Sequence, residues 1–180
     1  MESADLYTGS ASRLAELFHD SLDALGTFES VQASDLPDDA RALLAHNNHM
    51  TVTLEAFHNS LVDVEILAER EDAASYAREV LLRRQSDQSI VQFGIMRIWL
   101  ADLTATAERD LRQQKLPLGR VLIHHGVLRE VELMNLWRIY PAEHVDKHLG
   151  CDETREVFGR TAQILVDERP TVQLLEIVNV

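Results

Sequence analysis

Apolar residues recur along this chain first at helical spacing and then at every second position. Leu14, Leu17, Phe18, Leu22 and Leu25 fall on one helical face, with Ser10 and Ser12 available as caps and Gly26 where a helix would end. Residues 27–36 are polar and read as a turn. Pro37-Asp38-Asp39 has the proline and acids of a helix start, continued by Leu43 and Leu44. Met50, Leu54, Phe57 and Leu61 predict a further helix over much of 48–58.

The period then becomes two. Val62, Val64 and Ile66 alternate with acids, and Tyr76, Arg78, Val80 and Leu82 share one face of a second strand. A turn at 85–88 leads into a strand from Ile90 to Trp99. Leu103, Ala107 and Leu111 predict a helix ending near Gln114, broken by Leu116-Pro117-Leu118-Gly119-Arg120. The stretch 121–140 reads as one or two strands and 141–149 as a short helix. Phe158 to Val166 and Thr171 to Val178 form a second hairpin across 167–170. Without βαβ alternation, the sum is α+β: a single antiparallel sheet of five or six strands, with helices on one face and around its edges.

The length of 180 residues fits one domain, expected at 36–180, with a helical extension over 1–35. A formal net charge of −13 speaks against nucleic acid and anionic membranes as partners, and an anionic ligand would need local arginines to bind. The acidic start of the chain resembles no signal peptide, and apolar runs are too short to span a bilayer, so a cytoplasmic protein is expected. The single cysteine, Cys151, excludes an intrachain disulfide and carries no nucleophile motif.

The informative residues are charges on apolar strand faces. Arg78 shares a face with Val80 and Leu82, Arg97 with Phe93 and Ile95, Arg160 with Ala162 and Ile164, and Glu176 with Leu174 and Val178. Burying an unpaired charge costs several kcal/mol, so such residues must pair with one another or with a ligand. Three arginines against one glutamate leave a surplus that suits a ligand with more than one carboxylate. The histidines, including the pair His144 and His148 on one helix face, show no HExxH pattern and no cysteine cluster, so surface or capping roles and no metal are expected. A G-x-S-x-G nucleophile elbow is also absent.

Several segments resemble the chorismate pyruvate-lyases. They are His49-Met50-Thr51 with Leu54-Glu55, Arg78-Glu79-Val80-Leu81-Leu82, Pro117-Leu118-Gly119-Arg120-Val121-Leu122, Gly159-Arg160-Thr161 and Leu174-Leu175-Glu176-Ile177-Val178. Their order and spacing match from about His46 onward, roughly three quarters of the chain. The resemblance implies conversion of chorismate to 4-hydroxybenzoate and pyruvate without a cofactor, in an enclosed cavity; a homodimer is an open alternative.

It further implies that Arg78 grips the ring carboxylate and that Glu176 meets the 4-oxygen as proton donor or hydrogen-bond partner. Met50 and Leu118 would line the ring, with Gly119 beside them, and Arg97 would take the enolpyruvyl carboxylate. Arg160 lies in the matched Gly-Arg-Thr element and is expected at the site. His46-Asn47-Asn48-His49 departs from the acidic lead-in of the bacterial enzymes and is closer to the branch serving secondary metabolism. The same fold also serves as a non-catalytic ligand-sensing domain in bacterial transcription regulators, and related enzymes act on other enolpyruvyl or cyclohexadiene acids.

Overall fold

The computed structural model describes residues 10–126, 129–150 and 155–180; Cys151 lies outside them. The core is one antiparallel sheet of seven strands: β1 (Gly26–Val31), β2 (Val62–Glu71), β3 (Tyr76–Arg84), β4 (Ile90–Ile98), β5 (Arg129–Pro141), β6 (Val157–Val166) and β7 (Arg169–Val178). Their spatial order is β1-β5-β6-β7-β4-β3-β2. Two meanders, β2-β3-β4 and β5-β6-β7, meet along the β4–β7 pair, where Gly94 faces Glu176 and Met96 faces Leu174. The antiparallel α+β expectation therefore holds.

Helices cover both faces rather than one. On one face, helix α1 (described over 10–15) and α6 (Glu143–Leu149) bury Ala11, Leu14, Val145 and Leu149 against Phe93 and Trp137. On the other lie α2 (Asp38–Leu44), α3 (Met50–His58), α4 (Ala105–Arg112) and α5 (Leu118–His124). Leu43, Leu44 and Leu54 of this layer are fully buried, each contributing about 2 kcal/mol of transfer free energy.

Three segments differ from the sequence expectation. The first helix stops at residue 15, and the polar stretch after Gly26 is the edge strand β1, paired with β5 from Gly26–Pro141 to Val31–Leu136. Gly26 permits this pairing, since a Cβ there would meet the Tyr140 carbonyl at 2.4 Å and φ is 144°. The N-terminal segment, expected as an extension, packs into the same core as the sheet. Finally, residues 118–124 form α5 rather than a strand, because Pro117 caps it and Leu118, Val121 and Leu122 bury one helical face.

Candidate functional site

Alternation along the central strands sends Arg78, Val80 and Leu82 of β3, Gln92, Gly94 and Met96 of β4, and Leu174 and Glu176 of β7 toward the face covered by α2–α5. There they enclose a cavity with Met50 and Thr51 of α3, Leu118 and Gly119 of α5, and Arg160 of β6. Room for the centre of a water molecule amounts to about 60 Å³, within about 590 Å³ of space between the lining atoms that includes open solvent. Gly94 keeps the floor low between Glu176 and Val80, its neighbours across the strands.

The roof follows from the motif residues. Pro117 starts α5 and Leu118 enters the cavity lining. Gly119 lets α5 approach α3, since a Cβ there would stand 3.0 Å from Thr51 Oγ1. Arg120 then reaches across to Glu55 of α3 in an ion pair, and Glu55 also accepts from the Val62 amide at 3.3 Å.

The two arginines of this face differ. Arg160, fully buried, pairs across the strands with Glu176, its Nε donating to Oε2 at 2.7 Å. Its remaining nitrogens donate to the carbonyls of His46 at 2.9 Å and Asn48 at 3.2 Å, pinning the loop before α3. Gly159 allows the strands to close up there, a Cβ being 2.8 Å from the Glu176 carbonyl.

Arg78 is 1% exposed and has no carboxylate partner among the described residues. Its NH1 reaches the Leu111 carbonyl only at 3.5 Å and its NH2 the Met96 sulfur at 3.8 Å, while Nε has no partner. Burial lowers the guanidinium's pKa, opposed by Tyr76 and Glu69. Gln92, also buried, leaves its side-chain oxygen without a partner at the cavity wall.

The structure thus brings Arg78, Glu176, Met50, Leu118, Gly119 and Arg160 to one cavity. Arg97 does not join them. It lies one residue out of register, on the face of Phe93 and Ile95, where its Nε donates to Ser75 Oγ at 2.9 Å. Its guanidinium also stands 3.5 Å from Asp72 and over the Trp99 ring at 5.0 Å. The alternation that puts Gly94 and Met96 at the cavity turns Arg97 away from it. Arg160 is at the site, yet its donors are spent within the protein. Gln92 is the lining residue that sequence reasoning missed, because a single glutamine on a strand gives no pattern.

No family model matches this chain, and no curated protein matches it. Among solved structures it is similar to the effector domain of PhnF from Mycobacterium smegmatis, with TM-score 0.54, 12% identity, and coverage of 72% of this chain and 87% of that one. A longer PhnF structure from Mycobacterium smegmatis gives TM-score 0.53 and 12% identity; the match covers 73% of this chain and 63% of PhnF. The fold is chorismate lyase-like. At such identity the likeness carries the fold alone, and the chemistry has to be argued from the cavity. Among the described residues, no helix is long and apolar enough to cross a membrane.

Proposed function

We propose that the cavity binds a small ring-bearing carboxylate, with Arg78 as its anchor. The observation that carries this is a fully buried guanidinium whose Nε is unpartnered and which, among the described residues, forms no ion pair. A buried cation in that state costs several kcal/mol unless a ligand supplies the anion, and a carboxylate matches its fork with two parallel hydrogen bonds. The apolar walls, Met50, Leu118, Val80 and Leu174, suit a flat ring. Glu176, paired with Arg160, accepts a hydrogen bond from a ring hydroxyl at the far end, and the free Gln92 oxygen accepts another.

The likeness to a PhnF effector domain supports such a binding role. Its direct test is calorimetric titration with 4-hydroxybenzoate and with the uncharged 4-hydroxybenzamide. The acid should bind and the amide should not; equal affinity for both, or no binding of either, would defeat the reading.

A catalytic reading rests on Glu176 together with the motif resemblance. In chorismate the ether bond at ring carbon 3 breaks, carbon 4 loses its proton, and the enolpyruvyl methylene gains one to give pyruvate. The ring becomes aromatic and keeps the 4-hydroxyl. Arg78 would hold the ring carboxylate and Glu176 the 4-hydroxyl, fixing the orientation in which the carbon 3 substituent departs. With Arg97 on the other face, the enolpyruvyl carboxylate finds, among the described residues, no second arginine in this cavity beyond Arg160, whose donors are taken. The test is incubation with chorismate, with and without a chelator. Appearance of 4-hydroxybenzoate and pyruvate in equal amounts under both conditions supports a cofactor-free lyase. Binding of 4-hydroxybenzoate with no turnover would leave a sensing or carrier domain.

A further inference from the structure

The opposite face of the sheet holds a cluster that the cavity chemistry does not use. Glu79 leaves β3 next to Arg78 but on the other side, beneath α6, and is 3% exposed. His19 places Nε2 at 2.5 Å from its Oε2, and His144 of α6 places Nε2 at 2.9 Å from its Oε1. The ligating atoms of these three residues all lie within 4.8 Å of one another. The His19 and His144 rings meet edge to face at 4.6 Å, and His148, one helical turn further along α6, stands 5.1 Å from His144.

Among the described residues, the ion-pair partners of Glu79 are these two imidazoles, with no lysine or arginine. A buried carboxylate needs a countercharge. Two imidazole nitrogens, each against a different oxygen of one carboxylate and all within 4.8 Å, supply a ligand set for first-row divalent cations. We propose that His19, Glu79 and His144 bind a divalent transition-metal ion, zinc by preference, with His148 or a water in the fourth position.

Ligand atoms on a tetrahedral zinc stand roughly 3.3 Å apart for bonds of about 2.0–2.1 Å. On loading, the carboxylate would therefore retreat from the imidazoles by several tenths of an ångström, and any pair of ligand atoms near the 4.8 Å limit would close. The three ligands come from the segment after α1, from β3 and from α6, so the ion would tie both helices of this face to the sheet. Its role is structural, because the cavity lies on the other side. This proposal is independent of the cavity reading, and it revises the surface role expected for His144.

The test uses tag-free protein stripped with a chelator and titrated with zinc chloride, and separately with cobalt(II). We expect one equivalent to bind at micromolar or tighter affinity and cobalt to develop tetrahedral visible bands. The thermal midpoint should rise by on the order of 5 °C at a hundredfold excess over the dissociation constant. His144→Gln and His19→Gln keep the packing volume and should each weaken binding about 10²-fold with an unchanged circular dichroism spectrum. His148→Gln should cost no more than about tenfold, since it offers at most the fourth ligand; a loss as large as that in His144→Gln would overturn the ligand set. Absence of stoichiometric binding would overturn the proposal. So would zinc binding unaltered in both His19→Gln and His144→Gln, which would put the metal at other histidines such as His124 and His125.

Discussion

The two ends of the cavity are built from the same residue type and treat it in opposite ways. At one end Arg160 is fully buried and satisfied: a carboxylate at 2.7 Å and two carbonyls take its donors. At the other, Arg78 is equally buried, and among the described residues it has a long contact to a carbonyl, another to a sulfur, and the Tyr76 ring 6.0 Å from its guanidinium. Burial alone does not mark a functional arginine; what separates the two is whether the protein itself completes the pairing. A completed pair is scaffold, and an incomplete one waits for a partner from outside.

Four groups of tests, at Arg160, Arg78, Gly94 and by pH, sharpen this contrast in falling order of effect. Arg160→Met removes one half of a buried pair and strands Glu176, so it should cost about 3–5 kcal/mol of unfolding free energy in a urea titration. A loss under 1 kcal/mol would show that the pair is not structural.

Arg78→Ala should leave the fold intact and weaken 4-hydroxybenzoate binding by about 10²-fold, with Arg78→Lys recovering part of it. Arg78→Met goes further: it should abolish binding while the ligand-free protein melts at the same or a higher temperature, since an uncompensated charge has left the interior. A large fall in melting temperature would mean that Arg78 is scaffold after all.

Gly94→Ala raises the floor between the two ends, its Cβ meeting the Gln92 amide at 3.1 Å and the Leu175 carbonyl at 3.4 Å. Affinity measured calorimetrically should drop about tenfold, with little change in stability.

The smallest effect concerns pH. His46 holds the Arg160 end: its Nε2 lies 2.6 Å from the Leu43 carbonyl and its Nδ1 accepts from the Asn48 amide at 3.1 Å. That arrangement requires the neutral ring, and burial followed by the Arg160 charge lowers its pKa. The unfolded chain, with a pKa of about 6.5, therefore takes up the proton first as pH falls. Stability is fully present above that value and declines below it. His58 has the same sign, through burial and Arg84. The melting temperature should fall between pH 7.5 and 5.5, and His46→Gln should flatten part of that slope; a midpoint that rises on acidification would contradict the assignment.

Much of this cavity was legible in the sequence because period-two alternation fixes the face of every strand residue. Arg78, Arg160 and Glu176 stand out as charges among apolar neighbours, and all three point inward. The same rule placed Arg97 correctly with Phe93 and Ile95 but could not say that this face lies away from the cavity, which depends on where the helices pack. Helix α5 was hidden because Val121 and Ile123 favour strands and seven residues give barely two turns. Strand β1 was hidden because an edge strand with half-exposed residues resembles a turn. Of the cluster at Glu79 the sequence showed only the local pair His144 and His148, since His19 and His144 lie 60 and 65 residues away from Glu79.

The β4–β7 pairing, where Gly94 meets Glu176, has a consequence for folding. Each three-strand meander is built from near neighbours in sequence and can form early, but β4 and β7 are far apart along the chain. Arg78 belongs to one meander, and Arg160 with Glu176 to the other. The site is therefore complete only once the two halves have docked. A slip of two residues at that seam would preserve every inward-facing side chain yet move Arg78 about 7 Å relative to Glu176. A ligand spanning both ends would select the correct register and speed the recovery of native protein after denaturation.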